Sequence, residues 1–281
     1  GGRALAIQVD VADAAAVDRA ADQIEAELGP IDIWINNAMT SVFSPVHQMT
    51  ADEYRRVTDV TYLGTVHGSL TAYRRMRGRD RGVIVQVGSA LAYRSIPLQS
   101  AYCAAKAAMR GFTESLRSEL IHEKSGVAVT MVHLPAINTP QFGWVRSRLP
   151  RKAQPVPPIF QPEVAADAIL WAAEHVPREL HVGASTELAI LGEKVAPGLM
   201  DRYLAGAGWD GQMQDEPEEP GRLDNLYEPL PGDRGAHGAF DSRARPQSPY
   251  LWFAQHRFVD RGAAVALGIA AAIWRLLLPR R

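Results

Sequence analysis

A serine, a tyrosine and a lysine stand at a spacing that suits proton transfer at a carbonyl group. A β-branched run through Val85 and Val87 ends at Ser89, Tyr102 follows thirteen residues later, and Lys106 four residues after that. Positions i and i+4 share one face of a helix, so Tyr102 and Lys106 are expected to project side by side. A lysine charge lowers the pKa of a nearby tyrosine, while a serine hydroxyl can hold a substrate oxygen. The trio therefore predicts acid–base chemistry at a carbonyl or alcohol.

Alternating strands and helices are predicted to position this trio. Short apolar runs indicate strands, and amphipathic stripes with caps indicate helices. The predicted strands are Leu5–Val9, Ile31–Ile35, Val83–Val87, Val127–Leu134 and Leu180–Val182. The predicted helices are Ala14–Leu28, a segment that Thr50 caps and that runs to Met76 with a break near Thr58, Ala101–His122 and Pro162–Ala173. This order predicts an α/β fold with a doubly wound, Rossmann-like parallel sheet.

Composition excludes several classes of function. The chain has 281 residues and a net charge of −1, which gives no electrostatic reason to expect a nucleic-acid partner. Its one cysteine, Cys103, excludes an internal disulfide and indicates a reducing compartment, so a cytoplasmic location is expected. The eight histidines form no cluster at metal-ligand spacing, and no metal site is expected.

Ser89 and Tyr102-x-x-x-Lys106 resemble the short-chain dehydrogenase/reductase family, and further motifs extend the resemblance over roughly residues 4–190. Each of these motifs follows a predicted strand, where this fold binds ligands. Asp10-Val11 resembles the pair at the adenine ring, Asn36-Asn37-Ala38 the turn beside the cofactor, and Pro135–Thr139 the stretch at the nicotinamide. The cofactor-binding residues that the resemblance implies are Asp10, Val11, Asn36, Ala38, Tyr102, Lys106, Ile137 and Thr139.

The resemblance implies an oxidoreductase that passes a hydride between NAD or NADP and a small-molecule carbonyl or alcohol. Tyr102 would be the acid or base, Lys106 would lower its pKa and bind the ribose, and Ser89 would orient the substrate oxygen. Thr61 stands where the family's catalytic tetrad has asparagine, so an altered proton relay is expected. Members of the family commonly pair through the long helices on either side of the third strand, which implies a homo-oligomer.

Two departures from the family pattern qualify this expectation. The glycine-rich phosphate loop T-G-x-x-x-G-x-G does not occur, so an N-terminally incomplete domain is expected, and Met39 replaces a glycine. In the strand order 3-2-1-4-5-6, missing first and second strands leave a gap of about 10 Å beside Leu5–Val9. That strand is expected to move beside Ile31–Ile35 or to lose its pairing. The alternative function is a catalytically impaired relative that acts as a binding or structural protein.

The segment after the fourth predicted strand resembles the family's substrate lid. It contains Phe142, Trp144 and the proline-rich residues 150–162. Together with Leu91, Tyr93 and Leu98, these side chains favour a hydrophobic substrate; the alternative is a long exposed loop. Structural alternatives also stay open for the motif residues: a surface helix for Tyr102 and Lys106, caps for Ser89 and Asp10, and a turn for Thr139.

The sequence divides into three predicted regions. Residues 1–195 form the partial dinucleotide-binding domain. Residues 196–249 are rich in proline and glycine and include the acidic run Asp215–Glu219, which predicts a poorly ordered extension. Residues 250–281 are predicted to end in an apolar helix, with thirteen uncharged residues from Gly262 to Trp274. That helix would be either membrane-associated or docked on the domain or on a partner subunit.

Overall fold

The computed structural model describes residues 2–256 as one α/β arrangement of strands and helices. The strands are, in chain order, β1 Ile33–Asn36, β2 Val42–Phe43, β3 Gly82–Ser89, β4 Val127–Leu134, β5 Ala136–Ile137, β6 Arg146–Ser147, β7 Arg151–Ala153, β8 Ile159–Phe160, β9 Glu179–His181 and β10 Met213–Pro217. The helices are α1 Ala14–Leu28, α2 Ala51–Val57, α3 Gly64–Arg77, α4 Ser100–His122, α5 Pro162–His175, α6 Ala184–Val195, α7 Pro197–Tyr203 and α8 Pro249–His256.

The central sheet is parallel, with the strand order β1-β3-β4-β9. Its middle strands, β3 and β4, are apolar on both faces because helices cover both sides. Ile84 of β3 packs against α3 and α4 on one face, and Val85 packs against α5 on the other. The predicted α/β fold with a parallel sheet is confirmed, and Ser89 lies at the carboxyl end of a central strand.

Local sequence signals set the helix boundaries. Asp13 accepts the N–H groups of Ala15 and Ala16 and so begins α1, and the predicted capping box of Thr50 and Glu53 begins α2. The break predicted near Thr58 is a π-helical turn, residues 58–63, that joins α2 to α3. Capping satisfies N–H groups that the first turn of a helix leaves without intrahelical partners.

The strand predicted at Leu5–Val9 does not form. Within the described residues this segment makes no strand pairing, although Leu5, Ile7 and Val9 are half-buried and the residues between them are exposed. The apolar alternation is therefore present, but an extended segment becomes a sheet strand only through a neighbour's backbone hydrogen bonds. Loss of pairing was one of the two outcomes expected. β1 is consequently an edge strand, and its Ile33 and Ile35 are exposed.

Residues 196–249, for which a poorly ordered extension is predicted, pack against the rest of the domain in the structure. β10 pairs antiparallel with β7, and Met213, Leu226 and Phe240 are buried. Leu226 packs against Val42 and Val57, far from it in sequence. Composition gives little sign of this packing, because single apolar residues, widely spaced among prolines and glycines, each fill a separate gap in the domain.

Within residues 2–256, no helix is long and apolar enough to cross a membrane. α8 lies at the start of the region in which a C-terminal helix is predicted, and its Leu251 packs into the core beside α5. The rest of that prediction, including Gly262–Trp274, falls on residues 257–281, outside the part of the chain that the structure describes.

Candidate active site

A cavity of about 810 Å³ opens at the carboxyl ends of β1, β3 and β4. Its wall carries Ser89, Tyr102 and Lys106 together, with Ile137 and Thr139 on the same cavity. Small-molecule sites of parallel sheets lie at this end of the strands and have volumes of this order. The structure thus brings together five of the residues that the sequence singled out.

Ser89 is positioned by the end of β3. Its backbone is extended, and its Oγ accepts the N–H of Leu91 at 3.1 Å, which caps the short helical turn 90–92. Ser89 therefore caps this turn and also lies on the cavity wall. The parallel pairing of β3 with β4 also fixes the position of Ser89, which lies opposite Leu134.

Tyr102 and Lys106 lie one turn apart on α4. The Lys106 side chain is buried, and its Nζ donates to the carbonyl oxygen of Val87 at 2.6 Å, which ties α4 to β3. The same Nζ is 5.7 Å from the centre of the Tyr102 ring. Burial lowers the pKa of Lys106 to about 7, since an apolar surrounding disfavours the charged ammonium.

Burial is the largest influence on the pKa of Tyr102. Burial raises the pKa of Tyr102 above its ordinary value, and the hydrogen bond with Ser89 offsets only part of the rise. Lys106 donates to the Val87 carbonyl, and its lowering of the Tyr102 pKa stays a prediction. Tyr102 therefore holds its proton at neutral pH.

Thr61, the predicted substitute for a catalytic asparagine, is buried in the π-helical turn rather than on the cavity wall. Its Oγ1 accepts the N–H of Thr40 at 3.1 Å and donates to the carbonyl oxygen of Thr40 at 3.0 Å. Thr61 thereby fixes the chain that follows β1, next to the cavity residues Met39 and Ser41.

Asp10 and Val11 do not reach the cavity. Asp10 accepts the N–H of Ala12 at 3.0 Å and pairs with Arg56 at 2.8 Å, and it is exposed. The backbone bond and the pair with Arg56 hold the pKa of Asp10 below its usual value, although burial, the largest single contribution, would raise it. The carbonyl oxygen of Val11 is bonded to Nδ1 of His67. Asp10 thus stabilises the turn before α1, whose N-cap is Asp13.

At the end of β1 and in the chain that follows it, alternate residues face the cavity. Ile35, Asn37 and Met39 line it, whereas Asn36 and Ala38 do not. Side chains of an extended segment alternate between two sides, so a motif of consecutive residues cannot place all of them in one site. Asn36 instead supports the sheet: its side-chain amide donates to the side chains of Ser69 and Gln86. Asn36 and Ala38, which are predicted to bind the cofactor, thus lie beside the cavity wall rather than on it.

The predicted lid contributes only in part. Phe142 and residues 154–158 line the cavity, while Trp144 does not. Leu98 is buried beside Phe43, and Tyr93 donates to Glu179 instead. The cavity residues that sequence reasoning missed are chiefly Ala165, Ile169 and Leu170 of α5, with Leu204 and Gly208 from the region predicted to lack order. In the sequence, the α5 residues are indistinguishable from an ordinary core stripe.

This chain is similar to known oxidoreductases. A family model described as short chain dehydrogenase matches residues 1–149. The uncharacterized oxidoreductase YxnA of Bacillus subtilis is 33% identical over 273 residues, which cover 95% of this chain and 75% of that protein. The fatty acyl-CoA reductase of Acinetobacter baylyi is 30% identical over 203 residues, which cover 71% of this chain and 65% of that enzyme.

Two solved structures share the fold. A short chain dehydrogenase from Burkholderia cenocepacia in complex with NADP has a TM-score of 0.58 and 27% identity, covering 70% of this chain and 77% of that one. A short-chain dehydrogenase from Streptomyces avermitilis has a TM-score of 0.57 and 27% identity, covering 73% and 81%. Because the family model matches more than half of its residues, this chain belongs to the short-chain dehydrogenase/reductase family, the oxidoreductases that use NAD or NADP.

Proposed function

We propose that this protein reduces the carbonyl group of an apolar small molecule with NADH or NADPH. The observation that carries the proposal is the meeting of Ser89, Tyr102 and Lys106 at one wall of a large cavity. A hydroxyl, a protonated phenol and an ammonium are the donors that a carbonyl oxygen needs as negative charge develops on it.

The residues of the cavity fit the nicotinamide end of the cofactor. Lys106 uses one of its three N–H donors on the Val87 carbonyl, and the others suit ribose hydroxyls. Ile137 and Thr139 line the same cavity and suit the carboxamide. The bound reduced nicotinamide supplies the hydride. Asp10 and Val11 lie outside the cavity and give no support for an adenine site there.

Three side chains have separate roles in the reaction at the substrate oxygen. Ser89 donates a hydrogen bond that orients the carbonyl, and Tyr102 gives its proton to the oxygen as the carbonyl is reduced. The raised pKa of Tyr102 keeps that proton available at neutral pH. Lys106, one helical turn away, stabilises the tyrosinate that remains.

Replacing Tyr102 tests this assignment directly. Tyr102→Phe removes the proton donor but keeps the ring, so kcat for NADPH-dependent reduction of octanal is expected to fall at least about 100-fold. Tyr73→Phe is the matched control, since the Tyr73 hydroxyl bonds Glu123 away from the cavity, and it should change kcat less than twofold. Undiminished activity of Tyr102→Phe would reject the mechanism.

The lining of the cavity supports an apolar substrate. Aliphatic and aromatic side chains dominate its wall, among them Ile35, Phe43, Leu91, Phe142, Ile169 and Leu170. A fatty acyl chain has this character, and one relative bears the name fatty acyl-CoA reductase. Each methylene that the cavity covers contributes about 0.8 kcal/mol, or roughly fourfold in binding.

A chain-length series measures this preference. The ratio kcat/KM should rise about twofold to fourfold per methylene from butanal through hexanal to octanal, because each added group leaves water. Equal or falling values along the series would show that the cavity does not bind the chain. This outcome would leave the acid–base proposal for Tyr102 intact.

The alternative proposal is an impaired relative that binds ligands without turnover. Met39 favours it, because a long side chain lines the cavity where the family has glycine. Saturable quenching of NADPH fluorescence without oxidation of any aldehyde in the series would support this alternative. The homo-oligomer implied by the family, paired through α3 and α4, stays a prediction.

A further inference from the structure

A second group of polar side chains lies where β4 pairs with the edge strand β9, and none of its members lines the cavity. His133 of β4 and His181 of β9 are direct partners in the parallel register, and Glu179 is two residues before His181. Residues two apart on a strand share a face, so all three side chains meet on one side of the sheet. Tyr93, in the segment after Ser89, completes the group by donating its hydroxyl to Oε2 of Glu179.

The distances within this group match those of a metal site. Oε2 of Glu179 is 3.4 Å from Nε2 of His133 and 3.7 Å from Nε2 of His181. The three ligand atoms all lie within 4.8 Å of one another. In a tetrahedral zinc site with bonds of about 2.0–2.1 Å, ligand atoms are roughly 3.3 Å apart. A small inward movement of side chains is enough to reach that geometry.

The outer nitrogens of both histidines are held by acceptors. Nδ1 of His133 is 3.2 Å from the carbonyl oxygen of Ser89, and Nδ1 of His181 is 2.6 Å from Oε1 of Glu187. A carbonyl and a carboxylate only accept, so Nδ1 of each ring is the donor, and in the neutral ring the lone pair is on Nε2. Both lone pairs therefore face Glu179. Carbonyl and carboxylate partners orient metal-binding histidines in the same way.

The three side chains are buried, which makes the close approach of their lone pairs unfavourable. The side chains of His133, Glu179 and His181 are 0%, 9% and 16% exposed. Among the described residues, Nε2 of His181 is buried and has no hydrogen-bond partner. The Tyr93 hydroxyl donates to Oε2 of Glu179, but two nitrogen lone pairs still face this carboxylate at low dielectric, which is unfavourable unless a proton or a cation lies between them. Arg178 pairs with the other oxygen of Glu179, Oε1, so Glu179 would bind an ion through Oε2.

We propose that His133, Glu179 and His181 bind one divalent transition-metal ion, with zinc the best match. Two imidazoles and one carboxylate suit zinc rather than magnesium or calcium, which prefer oxygen ligands alone. None of the three residues lines the cavity of Ser89 and Tyr102, so the ion has a structural role. It joins β9 to β4 and, through His133, holds the backbone of Ser89.

Metal binding is measured on the full-length protein after dialysis against EDTA and then against metal-free buffer. Calorimetric titration with zinc chloride should give one equivalent of tight binding, and zinc but not magnesium should raise Tm. Cobalt(II) in the same site should give the visible spectrum of tetrahedral coordination. Absence of saturable binding at one equivalent would overturn the proposal.

Three substitutions distinguish this site from adventitious histidine binding. His181→Gln removes a ligand and should weaken zinc binding at least about 100-fold, while Glu187→Gln leaves all three ligands and should weaken it roughly 10- to 100-fold. His237→Gln is the control: His237 bonds Asp241 and Glu163 through opposite ring nitrogens, so those groups do not converge on one ion. Equal affinity of the His181, Glu187 and His237 variants would overturn the proposal. If His181→Gln does not fold, Glu187→Gln against His237→Gln decides the question.

Discussion

At the scale of single residues, Lys106 serves the proposed activity but lowers the stability of the folded protein. Lys106 is 2% exposed, and its ammonium donates to the Val87 carbonyl. Burial lowers the pKa of this group from 10.5 to about 7. The unfolded chain would hold the lysine proton at every pH below 10.5. Burial of this side chain therefore costs stability, which an apolar replacement would recover.

Lys106→Met tests this cost through its pH dependence. Between pH 7 and 10.5 the unfolded state binds a proton that the native lysine lacks, so wild-type stability should rise with pH in this window. Below pH 7 the full free-energy cost of burying the charged lysine applies. The variant avoids this cost but lacks the hydrogen bond to Val87, so it should be more stable by roughly 3 kcal/mol. The gain should vanish above about pH 10.5. Urea unfolding at pH 6, 8 and 10 measures it.

The control for this experiment is Lys194→Met, on an exposed position of α6. It should change the unfolding free energy by less than about 0.5 kcal/mol at each pH. A gain from Lys106→Met that is the same at pH 6 and pH 10 would show that the buried charge is not its cause.

At the scale of elements, Glu53 joins α2 to the segment around β6. Its side chain is 2% exposed, accepts the Thr50 N–H in the capping box, and pairs with Arg146 and Arg148. Burial, the largest contribution, would raise the pKa of Glu53, but the bonds from Arg148 and Thr50 hold it below the ordinary value. Glu53 is thus charged in the native state and fully bonded.

Glu53→Ala should lower the unfolding free energy by about 3–5 kcal/mol at pH 7, because it leaves two arginines without their buried partner. Since the folded pKa is depressed, the contribution of Glu53 is present above its unfolded pKa and is lost as pH falls through the folded value. The difference between wild type and variant should therefore shrink in acid. Thermal unfolding at pH 7 and pH 4 measures both effects.

Asp52→Ala is the comparison for this substitution. Asp52 is exposed and pairs only at the surface with Arg55 of the same helix, so its loss should cost less than about 1 kcal/mol. Similar losses from Glu53→Ala and Asp52→Ala would contradict the view that Glu53 ties the two elements together.

Whether a site could be predicted from the sequence depends on whether one helix or one strand is enough to place its residues. The trio of Ser89, Tyr102 and Lys106 was predictable because helix spacing and the end of one strand suffice to place it. The group of His133, Glu179 and His181 was not, because only the register between β4 and β9 brings its members together. Asn36 was misplaced for a related reason: its motif gives the residue type, but the direction of its side chain depends on the pleat.

At the scale of the whole molecule, residues 196–249 behave as part of the domain. Leu226 is fully buried against Val42 and Ala101, and Asp224 pairs with Arg146. The carbonyl oxygen of Leu226 also accepts from Arg56 of α2 at 2.9 Å. The segment thus closes over the same helix that Glu53 anchors.

Leu226→Ala should lower the unfolding free energy by about 2–5 kcal/mol, since it removes a large side chain from a closed site. Leu223→Ala, three residues earlier and 72% exposed, should change it by less than about 0.5 kcal/mol. Urea unfolding of both variants measures the difference. If the two substitutions have equal and small effects, the segment does not pack as described.

The bond between Arg56 and Leu226 also bears on the order of folding. It spans 170 residues, and contacts so distant in sequence slow the search for the native state. During synthesis, α2 emerges long before its partner does, so its outer surface stays open to solvent until the ribosome has released residue 226. The sheet of β1, β3 and β4 can form before then, whereas α2 gains its cover only after residue 226 has left the ribosome.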